Sequence, residues 1–320
     1  MEEAGFGGPA GPTLAMKPWP GLAPYSRRVS TATCGEIFCF DSGEPREPSR
    51  RAFVLVHGLG DEADTWRHVF PLIARQARVL ALDLPGFGRS LARRRATLGS
   101  SARALLEFLD ATAPGEVVLV GSSMGAVVSQ LAEARERRLA SRERRGSRIR
   151  ALCLVDGGLP GLQAAPGTWS SILPILGERG YTYLSTRPDR AYASLRLYYG
   201  DLDALSAADR DFLRSRVAAR VTSAAQKRAY FSLLRDLGLW VAFRSLFFAR
   251  ELETFTGPVL VAWGEKDRLD LPGAAATLLR LARGSEGIVL EGSGHLPQQE
   301  RPEALAAAIL DWAAEAKQEG

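Results

Sequence analysis

The chain has 320 residues, 46% hydrophobic and 24% charged, within the range of water-soluble globular proteins and long enough for one large α/β domain with an insertion or for two ordinary domains. No apolar run reaches the ~18 to 20 residues that a membrane span needs, and Met1 to Gly8 turns from acidic to glycine-rich without the basic-then-apolar pattern of a signal peptide, so a cytoplasmic location without a membrane span is expected. The formal charge of +5 is modest, and only four of the 41 basic residues are lysine, a skew that reads as coding bias rather than recognition chemistry.

Residues 1–27 are rich in Gly, Pro and Ala, show no periodicity and read as a flexible lead, disordered or loosely docked. Arg28 to Phe40 suggests short strands with a turn at Asp41-Ser-Gly43, and a charged, proline-containing loop follows. Ala52 to Val56 is apolar on both faces, the signature of a strand inside a parallel sheet, and ends in His57-Gly58-Leu59-Gly60. The same pattern recurs. Helical spacing over Trp66 to Gln76 precedes a strand at Arg78 to Leu82. A helix over Ser101 to Ala111 precedes a strand at Glu116 to Val120. A helix from Gly125 to Arg138 precedes a strand at Ile149 to Val155. Strands alternating with helices imply a mostly parallel sheet covered on both faces.

After Asp156 the rhythm changes. Residues 158–255 hold aromatic-rich helical segments (Trp169 to Leu176, Ala191 to Tyr199, Ala207 to Val221, Lys227 to Ala249) and no convincing strand. Alternation resumes with Gly257 to Trp263, a helix over Gly273 to Arg283, a buried strand at Gly287 to Glu291 and a helix from Pro302 to Ala316. The organisation expected is an α/β core made of 28–157 and 256–320, with 158–255 as a helical cap over the C-terminal edge of the sheet, where open α/β sheets bind ligands.

The three cysteines, Cys34, Cys39 and Cys153, cannot all pair and read as reduced thiols packed like small apolar side chains. Arg135 to Arg150, interleaved with Glu136 and Glu143 and preceded by Glu133, reads as a solvated helix face laced with i,i+4 pairs. It has no interleaved aromatics for base stacking, which argues against nucleic acid.

Gly121-Ser122-Ser123-Met124-Gly125 fits G-x-S-x-G between a buried strand and a helix. Such a turn exposes the hydroxyl of Ser123 and aims the Met124 N–H at the same space; a tight turn with a capping serine is the plainer reading. The glycines around Leu59 let a second amide, that of Leu59, face a developing oxyanion. Of the three histidines, His57 reads as a hydrogen-bonded structural residue and His68 as a surface or packing residue. His295, on the Gly-rich loop after the last strand, is left as the base that serine needs. Asp267, four residues past the strand ending at Trp263, is the candidate acid. Glu265 and Asp270 are nearby alternatives, and Asp156 occupies the end of the preceding strand.

Taken together, these motifs resemble the α/β-hydrolase fold family: His57-Gly58, Asp83 to Ser90, Gly121 to Gly125, Trp263 to Arg268, and Gly294-His295 with Glu300 to Glu303, in the order Ser, Asp, His. The resemblance covers residues 28–157 and 256–316. Dehalogenases and epoxide hydrolases of that family carry aspartate at the elbow, so Ser123 argues against both. The resemblance implies a serine esterase or lipase-like acyl hydrolase. A C–C bond hydrolase acting on an activated diketone is the alternative, although its members commonly show Asn where this chain has Ser122. A non-catalytic binding protein on the same fold is a third reading. The cap aromatics read mostly as packing, with Trp240 and Phe243 as candidates to line an apolar tunnel for a small-molecule substrate. The histidines are too few for a metal cluster, and Gly58-Leu-Gly60 lacks the third glycine of a dinucleotide fingerprint, so neither metal nor cofactor is expected.

Overall fold

The computed structural model describes residues 16–44, 51–92, 95–158, 174–269, 272–282 and 284–315. Eight strands form one sheet in the order β1-β2-β4-β3-β5-β6-β7-β8. They are β1 (Ser26–Thr31), β2 (Gly35–Asp41), β3 (Arg51–Val56), β4 (Val79–Leu82), β5 (Glu116–Ser122), β6 (Ile149–Val155), β7 (Val259–Gly264) and β8 (Glu286–Leu290). The β1/β2 and β2/β4 pairs are antiparallel and every pair from β4 to β8 is parallel.

The continuous apolar runs have the cause inferred from them. Val54 and Val56 enter one core cluster while Phe53 and Leu55 enter the other, so both faces of β3 are covered. Helices α2 (Leu98–Thr112) and α3 (Met124–Arg142) pack on the first face; α1 (Val69–Ile73) and α10 (Pro302–Glu315) pack on the second. A capping box closes the start of α2: the Thr97 hydroxyl accepts from Ser100 N–H while the Ser100 side chain accepts from Thr97 N–H. The last strand differs from its reading as buried. β8 is an edge strand, with Glu286, Gly287 and Val289 exposed, because it has only β7 beside it.

Between β6 and β7 the described residues form helices only: α4 (Pro174–Ser185), α5 (Pro188–Ala193), α6 (Ala207–Thr222) and the 31-residue α7 (Ala224–Thr254), followed after β7 by α8 (Pro272–Leu281) and α9 (Pro297–Glu300). Ser206 and Ser223 cap α6 and α7 by accepting from Asp209 and Gln226 N–H. The expected Trp169 to Leu176 segment falls outside the described residues up to 173. No helix among the described residues is long and apolar enough to cross a membrane.

The described part of the lead, residues 16–27, is docked on the rest of the chain. Leu22 is buried in the core, and the Trp19 ring packs edge-on against Phe212 of α6 and His68. Large apolar side chains among the glycines and prolines supply that anchorage. All three cysteines are free thiols. The arginine-rich α3 is less a solvated face than a seam. Arg137 does pair with Glu133 at i,i+4, but Arg137 and Arg138 also reach Glu251 of α7, and the carboxyl of Glu136 is fully buried beneath Arg145 and Arg148.

Candidate active site

Because β3, β5, β6, β7 and β8 run in parallel, their C-terminal ends share one edge of the sheet. Leu59, Ser123, Asp156, Asp267 and His295 all lie just past those ends. Ser123 stands between β5 and α3 with φ 55° and ψ −121°, a left-handed conformation that a non-glycine residue adopts at a cost. Its neighbours make the turn possible. A Cβ on Gly121 would come 2.5 Å from the Ala126 nitrogen, and one on Gly125 would collide with the Val56 carbonyl. Ser123 is half-buried, so its hydroxyl stays within reach of a ligand.

The structure brings three of the candidate residues into one hydrogen-bonded chain. His295 Nε2 lies 2.9 Å from Ser123 Oγ, and His295 Nδ1 lies 2.8 Å from Asp267 Oδ2. The other Asp267 oxygen accepts from Leu269 N–H at 2.8 Å. An ionised Asp267 can only accept, which assigns the Nδ1 proton to the contact with it and leaves the Nε2 lone pair for the serine proton. The loops are registered by backbone bonds: Glu265 N–H donates to Leu290 O and Lys266 N–H to Ser293 O. Of the alternative acids, Glu265 is exposed and accepts from Gly292 N–H, and Asp270 lies outside the described residues. Asp156 is fully buried beside Asp267.

Gly58, the residue before Leu59, and Met124 flank the serine. A Cβ on Gly58 would lie 3.2 Å from Ser123 Cβ, which shows how closely the loop after β3 passes the hydroxyl. Met124 opens α3, where backbone N–H groups lack helical partners and favour negative charge. His57 is structural: fully buried, it lies 2.7 Å from the Gly58 carbonyl through Nδ1 and accepts from Leu84 N–H through Nε2. His68 packs edge-on against the Trp19 ring, and its Nε2 meets Asp209 of α6 at 2.8 Å.

Asp156, Asp267 and His295 offer atoms within 4.8 Å of one another, the spacing of a metal trio. The 2.8 Å Nδ1···Oδ2 contact is a proton-sharing distance, and it uses the imidazole N–H that a metal would have to displace.

Trp240 and Phe243, the two candidates to line a tunnel, both lie on α7 of the cap. Phe243 is 81% exposed, and Trp240 packs edge-on with Phe247 and Phe248 of its own helix against the core. α7, which carries both, packs against α3 and against α4 and α6 of the cap. Elsewhere in the cap the Tyr198 ring lies 6.2 Å from the His295 ring, and Tyr230 lies against Gly60. A buried charge cluster, also missed by the sequence reading, joins cap to core. Arg220 binds Glu62 through two nitrogens at 2.7 and 2.8 Å and also contacts Asp61, while Arg67 and His68 hold Asp209. Its sequence signal was the acidic run Asp61-Glu62-Ala-Asp64 straight after the glycine loop.

Residues 53–308 match the family model of the alpha/beta hydrolases. The chain is 27% identical over 267 residues to pimeloyl-[acyl-carrier protein] methyl ester esterase of Vibrio cholerae serotype O1, covering 81% of this chain and 93% of that protein. It is 26% identical over 270 residues to a 2-hydroxy-6-oxononadienedioate/2-hydroxy-6-oxononatrienedioate hydrolase of Escherichia coli K12, covering 82% and 86%. Carboxylesterase CesB of Bacillus subtilis superposes with a TM-score of 0.71 at 19% identity over 94% of each chain, a likeness of fold.

Proposed function

The chain belongs to the alpha/beta hydrolase family, and on that premise we propose that it is a serine hydrolase cleaving the carboxylic ester of an apolar or aromatic substrate through an acyl-enzyme on Ser123. The observation that carries the reading is the continuous chain Ser123 Oγ–His295 Nε2, His295 Nδ1–Asp267 Oδ2 at 2.9 and 2.8 Å. His295 takes the hydroxyl proton as Ser123 Oγ attacks the ester carbonyl, and Asp267 stabilises the imidazolium so formed. The amides of Leu59 and Met124 hold the oxyanion. His295 then returns the proton to the departing alcohol, and water activated by the same imidazole releases the acid.

C–C bond hydrolysis of an activated diketone is the second reading. It is favoured by the similarity to the dienedioate hydrolase and disfavoured by Ser122, a fully buried residue whose hydroxyl accepts from Gln298 Nε2 at 3.1 Å. A panel of p-nitrophenyl esters run beside a dienone diketone separates the two. Covalent labelling of Ser123 by a fluorophosphonate tests both against a binding protein without catalysis. Ser123→Ala is expected to remove labelling and to lower turnover by about three orders of magnitude or more with the fold intact. Turnover retained above about one part in a hundred of the wild type overturns the nucleophile assignment.

A further inference from the structure

Asp156 is a buried carboxyl that the reaction above leaves without a role. It follows β6, is fully inaccessible, and its backbone takes φ 42°, a left-handed conformation that Asp and Asn tolerate better than most residues. One oxygen, Oδ1, accepts from Gly264 N–H at 2.8 Å, which ties the end of β6 to the end of β7. The other, Oδ2, receives no donor hydrogen bond, although a buried carboxylate oxygen without a donor is costly. Two titratable groups face it, Asp267 from the loop after β7 and His295 from the loop after β8, and the nearest atoms of all three fall within 4.8 Å.

We propose that Asp156 is held as the neutral acid and donates its proton through Oδ2–H to the Asp267 carboxylate, making it a positioning residue for the Asp267–His295 pair. Two carboxylates this close and both buried do not both ionise, and the proton settles on the one with fewer donors. Asp267 already accepts from His295 Nδ1–H and Leu269 N–H, whereas Asp156 accepts one backbone N–H. A proton on Asp156 also removes the orphaned oxygen. The direction of its titration agrees: burial pushes the Asp156 carboxyl well above its ordinary range, and the Asp267 charge adds to the rise while His295 opposes it. Asp267 is thereby fixed from three sides, and the donated hydrogen bond tempers its pull on the imidazolium.

The inference rests on the reading of Ser123, His295 and Asp267 as the reacting set, and its test separates the two. An asparagine at 156 reproduces the neutral acid, with its carbonyl accepting from Gly264 N–H and its amide donating to Asp267; an alanine removes the donor. Asp156→Ala is expected to lower kcat about ten- to a hundredfold with KM little changed, and to move the acid limb of kcat/KM up by about half a pH unit. Asp156→Asn is expected to restore kcat to within about threefold of the wild type and to return the limb to its place. An infrared difference spectrum of wild type against Asp156→Asn at neutral pH is expected to show the C=O stretch of a protonated carboxylic acid in the wild type alone. If that band is absent, or if Asp156→Asn loses activity as Asp156→Ala does with the acid limb moved down, Asp156 carries charge and the proposal falls. Failure of the fluorophosphonate to label Ser123 in the wild type overturns the triad reading instead, and the infrared result stands apart from it.

Discussion

The backbone N–H of His295 donates to the carbonyl of Tyr198 at 2.8 Å, so the cap holds the loop that carries the proposed base. Glu300 reinforces the contact, accepting from Gly294 N–H on the His295 side and from Gly200 and Asp201 N–H on the cap side. Glu300→Ala leaves three backbone donors short of an acceptor and is expected to cost about 1–3 kcal/mol of stability. Because the imidazole is then less well aimed, kcat is expected to fall about tenfold while KM changes little. Thermal melts together with steady-state kinetics check both. A lower melting temperature with unchanged kcat would make Glu300 a purely structural brace.

The acid limb of the pH–rate profile is expected to report His295. A neutral imidazole accepts the Ser123 proton and an imidazolium cannot, so activity falls as pH is lowered through its titration. His295→Ala should lose the activity and that limb together. A variant that keeps both would place the base on another residue.

Burial alone would push the Glu62 carboxyl up, but Arg220 and Arg216 beside it outweigh burial and hold it at about 2, against an ordinary 4.5. A carboxyl depressed on folding adds stability in full above 4.5, and that stability drains as pH falls from there toward 2. Asp209 runs the same way. Burial opposes ionisation, yet His68 and Arg67 hold its carboxyl well below the usual range. Both groups join the loop after β3 and the start of α1 to α6 of the cap, so acid should loosen cap from core in this window. Limited proteolysis between pH 5 and pH 3 is expected to cut the cap before the core. Glu62→Gln should be less stable at neutral pH by about 3 kcal/mol, since it takes one carboxylate from two buried guanidiniums and leaves Arg220 with Asp61 and Arg216 with Asp64, and should show a flatter loss of stability in acid. An unchanged pH dependence in Glu62→Gln would count against the latch.

The sheet and the residues of the proposed site were legible because each of them follows a strand, and parallel strands put all such positions on one edge. Ser123, Asp267 and His295 could be assigned from those positions without knowing any contact. The acidic run at 61–64 was not legible in the same way: its arginine partners come from α6, some 158 residues on in the case of Glu62 and Arg220, and only the fold pairs them. How firmly the lead docks was not legible, because glycine and proline content masks two anchors, Trp19 and Leu22. Asp156 was visible as an alternative acid, yet its closeness to Asp267 needed the loops after β6 and β7 to be laid side by side.

The cap residues were the least legible, and they carry the last prediction. α7 has apolar side chains on more than one face, so spacing along it does not say which face meets the site. The structure sets Tyr230 beside Gly60, where a Cβ would come 3.1 Å from the ring, and packs that ring against Tyr181 and Phe231 at centroid distances of 5.7 and 5.2 Å. Burial pushes the Tyr230 hydroxyl well above its ordinary range, so the ring stays neutral and apolar over the loop that bears Leu59. Tyr230→Ala is therefore expected to shift the preference among short and long acyl esters by about ten- to a hundredfold in relative kcat/KM, the value of one or two methylenes in an apolar pocket. Phe243 projects into solvent, and Phe243→Ala should leave the preference unaltered. Trp240 packs on Phe247 and Phe248, so Trp240→Ala should lower stability by about 2–3 kcal/mol, less than for a fully buried ring, again without moving the preference. The acyl-series profile of the three variants decides between them. If Trp240→Ala or Phe243→Ala shifts it and Tyr230→Ala does not, the acyl group runs along the far end of α7 and not past the Gly60 loop.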